Sequence, residues 1–207
     1  MVKLAAARLA VGAILGLMLA YVAWLKPADR FGIYHDDTLY FSSAQALAEG
    51  RGYIIPSVPG EPRQSKYPIG YSWLLSWAWR WNPTFPANVG GAIWLTAAFG
   101  CLYLAAAFLF VRGQGGAGEW TALVVTALCA FHPTFLFLAS ALLSDLPFAA
   151  LALAAVVAAQ AGLRPGGRWT AVVAAGLLAG LAASTRTLGV TVVAALVAFA
   201  VWKRRWR

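Results

Sequence analysis

The sequence predicts an all-α, polytopic membrane protein with about six transmembrane helices, and two observations support this prediction. The first is composition: hydrophobic residues make up 61% of the 207-residue chain, whereas charged residues make up only 11%. A soluble domain has about a quarter of its residues charged. The chain therefore has too little polar sequence to cover the surface of a soluble domain, and we expect the bilayer to surround much of it.

The second observation is that the hydrophobic residues form six runs of about 15–24 residues each. A helix needs about 20 residues to cross a hydrocarbon core of about 30 Å. We expect residues 1–207 to form a single membrane module, with its first helix retained rather than cleaved as a signal peptide. The runs cover residues 9–25, 88–111, 119–138, 146–162, 169–185 and 188–202.

Lysine and arginine predict the orientation, because cytoplasmic connections carry an excess of both. With the N-terminus inside, short inner connections hold Arg112, Arg164 and Arg168, and an outer loop spans about residues 26–87. We expect a multi-pass protein of the cell membrane, in bacteria the inner membrane, with its site on the outer face. The net charge of +9 follows this topology. Without a basic face or a nucleic-acid-binding motif, it does not predict a nucleic-acid partner.

The outer loop is expected to contain two helices beside the membrane surface. Asp36 or Asp37 can cap a helix over about residues 38–49. A second helix is predicted after Pro68, because tryptophans recur there at every fourth position and would share one helix face. Such a helix is expected to lie in the plane of the membrane surface. The tryptophans of this face are Trp73, Trp77 and Trp81.

The acidic pair Asp36 and Asp37 is the strongest candidate for chemistry. One interpretation is structural, with one residue capping a helix and the other carrying a solvated charge. In the functional interpretation, a carboxylate takes the proton of an attacking hydroxyl as a general base. Two adjacent carboxylates could also share a divalent cation. The residues leave these alternatives open, and whether the site uses a metal is unknown at this stage.

Three further ionisable residues lie at predicted membrane boundaries, namely Lys66, Asp145 and Arg186. Lys66 and Arg186 could extend towards the aqueous interface as membrane anchors, or could bind a lipid phosphate. Asp145 begins the fourth predicted spanning helix and could cap it. An ionisable group at the end of a spanning segment is also a functional hypothesis. The sequence contains no HExxH motif, no CxxC motif, no Walker loop and no GxGxxG placed after a strand.

Four motifs follow one another in an order that fits this topology. They are Asp36-Asp37 followed by AQALAEGRGY, then Lys66-Tyr67-Pro68-Ile69-Gly70-Tyr71, Ser144-Asp145 and Thr185-Arg186-Thr187-Leu188-Gly189. The arrangement resembles the N-terminal half of the GT-C-type membrane glycosyltransferases, such as the protein O-mannosyltransferases and the lipid A aminoarabinose transferases. The resemblance covers nearly the whole chain, although Ile69 stands where those proteins commonly have a second proline.

The resemblance implies that a sugar is transferred from a polyprenyl-phosphate donor to an acceptor on the outer face. It implies that Asp36 is the base or a metal-anchoring carboxylate, with Asp37 in support. Lys66 and Arg186 would bind the lipid phosphate as it leaves, and Asp145 would orient the acceptor or a divalent metal.

The same resemblance makes Tyr67, beside Lys66 in the second motif, a further predicted substrate contact. Members of that class are longer and have additional helices, so we expect this chain to be the N-terminal part of a longer enzyme. The alternative from another class is a non-enzymatic protein that binds membrane lipid or serves as a scaffold. A transporter is less favoured, because its paired mid-membrane charges or helix breaks are not evident in the sequence.

Overall fold

The computed structural model describes residues 2–25, 27–113 and 117–205. Within these residues the chain is all-helical, as the composition predicts, with a short 3₁₀ helix at Pro27–Arg30. The α-helices are α1 (Val2–Trp24), α2 (His35–Ala48), α3 (Ile69–Trp81), α4 (Val89–Arg112), α5 (Glu119–Ala130), α6 (Pro133–Ala139), α7 (Asp145–Leu163), α8 (Trp169–Thr185) and α9 (Gly189–Arg205).

Three of the described helices are long and apolar enough to cross a membrane. They are α4, α7 and the part of α1 from Ala6 to Trp24. The number rises to four if α5 and α6 form one bent span. Helices α8 and α9 are apolar but contain only 17 residues each, which corresponds to about 25 Å of helix. The described residues are therefore consistent with a helical membrane protein, and the number of six spans stays a prediction.

The third predicted run, residues 119–138, is not one continuous helix. Helices α5 and α6 are bent by 66° at the break between them. Pro133 explains the bend, because its ring lacks an N–H donor and forces the preceding residue out of helical geometry. That residue, His132, has extended backbone angles of −67° and 130°. Its Nδ1 accepts a hydrogen bond of 3.3 Å from the Thr134 N–H and so caps α6.

The helices pack around two main clusters of buried side chains. In the bundle, α7 contacts α4 and α8, α9 packs on α8, and α1 packs on α5. Met18, Leu104 and Leu146 belong to the core of this bundle. The second cluster joins α2 and α3 to the start of α4, with Phe41 and Tyr71 at its centre. The segment between α1 and α4 is therefore a packed part of the fold.

Helix α3 has one buried face and one tryptophan-rich exposed face. Trp73, Trp77 and Trp81 are exposed, as their spacing predicts. Trp79 faces inwards, where its Nε1 donates a hydrogen bond of 3.0 Å to the Phe41 carbonyl oxygen. This arrangement gives α3 an aromatic surface, while its position in the plane of a membrane surface stays a prediction.

Helix α3 begins in very close contact with the end of α8. A Cβ atom at Gly70 would overlap Ser184 Oγ and lie 2.5 Å from the Ser184 carbonyl oxygen. Real Cβ atoms do not approach backbone oxygen so closely, so only glycine fits at this position. The contact matters for function because Lys66 and Tyr67 immediately precede α3, and Arg186 immediately follows α8.

We expect Gly70→Ala to lower the free energy of unfolding by about 1–3 kcal/mol, the usual cost of overpacking a tight contact. The matched control is Gly180→Ala in α8, where an added Cβ would meet open space among the described residues. That change should be neutral or stabilising by up to about 1 kcal/mol, since alanine favours helix. Thermal unfolding of both purified variants in detergent measures the difference. Equal midpoints would contradict the close packing of α3 on α8.

Candidate functional site

A small cavity of about 140 Å³ brings together residues from separate parts of the chain. Its walls come from the start of α2, the connection before α3, the start of α7 and the turn between α8 and α9. Five of the six residues predicted from sequence line it, and Asp37 lies outside. The five are Asp36, Lys66, Tyr67, Asp145 and Arg186.

Asp36 is held by two donors from the segment before α3. Its Oδ1 accepts a hydrogen bond of 3.2 Å from Lys66 Nζ and a second, very short one from the Tyr67 hydroxyl. Partial burial acts to raise the pKa of Asp36, but the bonds from Tyr67 and Lys66 outweigh it and lower the pKa below its ordinary value. The carboxylate is therefore ionised at neutral pH, which is the state that can accept a proton.

Asp37 has a different role from its neighbour. Only 2% of its surface is exposed. Its carboxylate accepts hydrogen bonds from the backbone N–H groups of Gly32, at 2.9 Å, and Thr38, at 2.6 Å. Gly32 has a φ of 91°, which only glycine adopts without strain. Asp37 therefore anchors the turn that leads into α2.

The structure corrects the predicted helix cap and does not favour the shared cation, which was one alternative for the acidic pair. Helix α2 begins at His35 with Tyr34 in the N-cap position, so both acidic residues lie within its first turn. Their charges suit the positive end of the helix dipole, but the side-chain cap predicted for Asp36 or Asp37 was wrong. The two carboxylates also face different partners, so this geometry does not fit a divalent cation shared between them.

A second ion pair, between Asp145 and Arg186, forms another wall of the cavity. Asp145 is the first residue of α7, and Ser144 occupies the N-cap position that one alternative gave to Asp145. Arg186 occupies the C-cap position of α8. The negative group thus lies at a helix N-terminus and the positive group at a helix C-terminus, where each helix dipole favours it. Both side chains remain partly exposed and accessible to a ligand.

Tyr40 connects the two ion pairs and was not identified from the sequence. Its hydroxyl is hydrogen-bonded to Ser144 Oγ at 2.8 Å. Its ring packs on the Tyr67 ring with 4.5 Å between centroids. Tyr40 follows Asp36 by four residues, and residues four apart lie on the same face of a helix. If the helix is assumed to include Asp36, this spacing places Tyr40 on the same face and would have identified it as a candidate site residue.

The connection before α3 is held in place by backbone and side-chain contacts. A short antiparallel bridge joins Ile54 to Arg63. The hydroxyl of Tyr53 donates to the carbonyl oxygens of Tyr67 and Pro68, both at 3.1 Å. These bonds fix the backbone that carries Lys66 and Tyr67, so the site is built on a supported segment and not on a free loop.

The donor set favours binding of an anion over binding of a metal. Among the described residues, no group of three or more His, Cys, Asp or Glu side chains is placed to hold a metal ion. Asp36 and Asp145 are each paired with a positive side chain, and Lys66 and Arg186 would repel a divalent cation. These residues therefore do not fit the divalent metal that the sequence left open. A ligand phosphate could instead bind both cations.

In comparisons with protein-family models, with curated proteins and with solved structures, no match to this chain was found. The resemblance to the GT-C-type glycosyltransferases therefore stays a prediction from four short motifs.

Proposed function

We propose that this chain is part of a membrane glycosyltransferase that transfers a sugar from a polyprenyl-phosphate donor to an acceptor on the outer face. One observation carries the proposal: the ionised carboxylate of Asp36 shares a cavity of about 140 Å³ with the positive side chains of Lys66 and Arg186. A carboxylate can remove a proton from the acceptor. Cations can stabilise a departing phosphate.

In the proposed reaction, Asp36 accepts the proton of an acceptor hydroxyl while the acceptor oxygen forms a bond with the anomeric carbon of the sugar. The bond between that carbon and the phosphate oxygen breaks, and its electron pair leaves with the polyprenyl phosphate. Lys66 and Arg186 bind the phosphate oxygens and stabilise the charge that develops on them. In this proposal Asp145 shares Arg186 with the phosphate and orients the acceptor.

Donor binding would also change the basicity of Asp36. Before binding, Lys66 and Tyr67 lower the pKa of Asp36. A phosphate that takes over the lysine weakens this effect, and its negative charge raises the pKa further. A carboxylate with a higher pKa is a stronger base, so Asp36 becomes better suited to accept a proton once the donor is in place.

The volume of the cavity limits how much of the donor can bind among these residues. Ligand sites usually measure about 300–1,000 Å³, whereas this cavity measures about 140 Å³. It suits the phosphate and the reacting carbon of the donor better than a whole sugar with its lipid. The proposal therefore includes further residues from a longer enzyme to complete the site.

The alternative is a non-enzymatic lipid-binding or scaffold protein, and one observation favours it. Lys66 and Arg186 are each already paired with a carboxylate, so the ion pairs could serve only to join the helices. Membranes that contain the full-length protein and a polyprenyl phosphate with a radiolabelled sugar separate the two functions. A transferase moves the label to an acceptor and releases polyprenyl phosphate. A binding protein leaves the label on the donor.

The proposal requires the segment between α1 and α4 to face outwards, and cysteine labelling tests this. In a variant whose two native cysteines are replaced by alanine, Ser57→Cys should react with an impermeant reagent on intact cells, since Ser57 is exposed. The matched control is Pro165→Cys after α7, which should react only after permeabilisation. The reverse pattern would contradict the orientation predicted from lysine and arginine.

A further inference from the structure

A second groove lies at the opposite end of α7 from the charged cavity. It measures about 590 Å³ and runs between the C-terminal parts of α4, α7 and α9. Its residue Arg164 follows α7, whereas the cavity residue Asp145 begins this helix. The 19 residues of α7 span about 28 Å, close to the thickness of a hydrocarbon core. The groove and the cavity are therefore placed at opposite membrane surfaces.

The groove combines apolar walls with two cations. Leu109, Val157 and Phe199 contribute apolar side chains, and Arg164 and Lys203 contribute positive charge. Within the described residues, neither cation forms an ion pair with a carboxylate. A ligand that matches these walls has an apolar chain and a negatively charged head.

The residues that line the groove include no acidic side chain. Glu119, at the start of α5, pairs with Arg112 at the end of α4, with 4.0 Å between the charged groups. The positive charge of Arg164 and Lys203 therefore has no competing carboxylate among the residues that line the groove. Electrostatics at this end of α7 therefore favour an anionic partner.

Exposed tryptophans place this end of the bundle at the level of lipid headgroups. They occur at the start of α5, at the start of α8 and near the end of α9, and tryptophan is enriched at the membrane–water interface. A phosphate in the headgroup layer would therefore lie at the same depth as the two cations. The three residues are Trp120, Trp169 and Trp202.

We propose that this groove binds one anionic phospholipid from the adjacent leaflet. The lipid phosphate contacts Arg164 and Lys203, and an acyl chain lies against Leu109, Val157 and Phe199. Basic pockets between helices at a membrane surface are suited to anionic headgroups. The surrounding helix C-termini favour cations over phosphate, so the anion depends on the two side chains. This inference rests on the membrane location and is independent of the proposed glycosyltransferase activity.

Lipid retention by the purified full-length protein tests the proposal. The protein is exchanged into detergent with equal amounts of phosphatidylglycerol and phosphatidylcholine of the same acyl chains, and bound lipid is measured by native mass spectrometry. Phosphatidylglycerol should be retained in preference. Since a cation near the surface contributes about 1 kcal/mol, Arg164→Gln should weaken retention about fivefold. The double variant Arg164→Gln, Lys203→Gln should weaken it about thirtyfold.

Two further variants make the result specific. Arg63→Gln removes the same charge from the exposed hairpin before α3 and should leave retention unchanged. Val157→Phe keeps the charge but fills the groove, so it should also lower retention. Unchanged retention in the double variant, or an equal loss in Arg63→Gln, would overturn the proposal. Competition by soluble glycerol phosphate would overturn it too, because the cations would then serve a soluble anion.

Discussion

Replacing Asp36 with asparagine is expected to abolish sugar transfer by the full-length protein while its folding and membrane insertion stay intact. Asparagine has the same size, and its carbonyl oxygen can still accept hydrogen bonds from Lys66 and Tyr67. It cannot accept a proton at neutral pH. Loss of a general base reduces rates by about 10²–10⁴-fold, so transfer from a labelled polyprenyl-phosphate sugar should fall at least a hundredfold.

The matched control is Asp37→Asn, because the two residues are adjacent and chemically identical but differ in environment. Asp37 is buried and accepts backbone hydrogen bonds from Gly32 and Thr38, whereas Asp36 faces the cavity. Asp37→Asn should therefore lower the unfolding midpoint and change transfer per folded molecule only a few-fold. Near-normal transfer by the Asp36→Asn protein would remove the base assignment and favour the scaffold alternative.

The second large effect is expected for donor binding. Lys66→Ala or Arg186→Ala removes a charge-assisted contact to phosphate, which contributes about 1.5–3 kcal/mol. Polyprenyl-phosphate binding should weaken about ten- to a hundredfold in either variant. The control is Arg80→Ala, because Arg80 lies on the exposed face of α3 against the Trp77 ring. Unchanged binding in both site variants would return Lys66 and Arg186 to a role as membrane anchors.

The pH dependence of transfer distinguishes the two cations. Lys66 contributes to the lowered pKa of Asp36, whereas Arg186 pairs with Asp145. Removing Lys66 raises the pKa of Asp36, so a higher pH is needed to ionise the base. The acid limb of the pH profile of kcat/KM, which reports the enzyme without bound donor, should therefore move to higher pH in Lys66→Ala and stay in place in Arg186→Ala. An unchanged acid limb in Lys66→Ala would contradict a base role for Asp36.

The sequence identified most of the residues at the candidate site but not how they pair. Lys66 and Arg186 were predicted as phosphate ligands, which stays a prediction, and in the structure each is paired with a carboxylate that the sequence did not indicate. Each pair joins residues that are at least 30 positions apart in the sequence, and a single sequence has no local signal for such a contact. Asp37 was grouped with Asp36, although adjacent residues on a helix point about 100° apart, so the two carboxylates cannot face one cavity equally.

The fold was predictable in class and less so in detail. The low charge content and the apolar runs predict helices in a bilayer, because a membrane requires every backbone group to be paired within the protein. The same runs do not reveal where a helix bends, as the break at Pro133 shows. They also do not establish that a helix is long enough to span, since α8 and α9 have 17 residues each.

In the proposed function, the cavity around Asp36 binds the phosphate end of a polyprenyl-phosphate sugar. Photo-crosslinking tests it most directly, with a diazirine on the first isoprene unit of the donor and the full-length protein in native membranes. The cross-linked peptides, identified by mass spectrometry, should contain Lys66–Tyr71 or Thr185–Gly189, and unlabelled donor should compete. Cross-links confined to the opposite end of α7, near Arg164, would contradict the account.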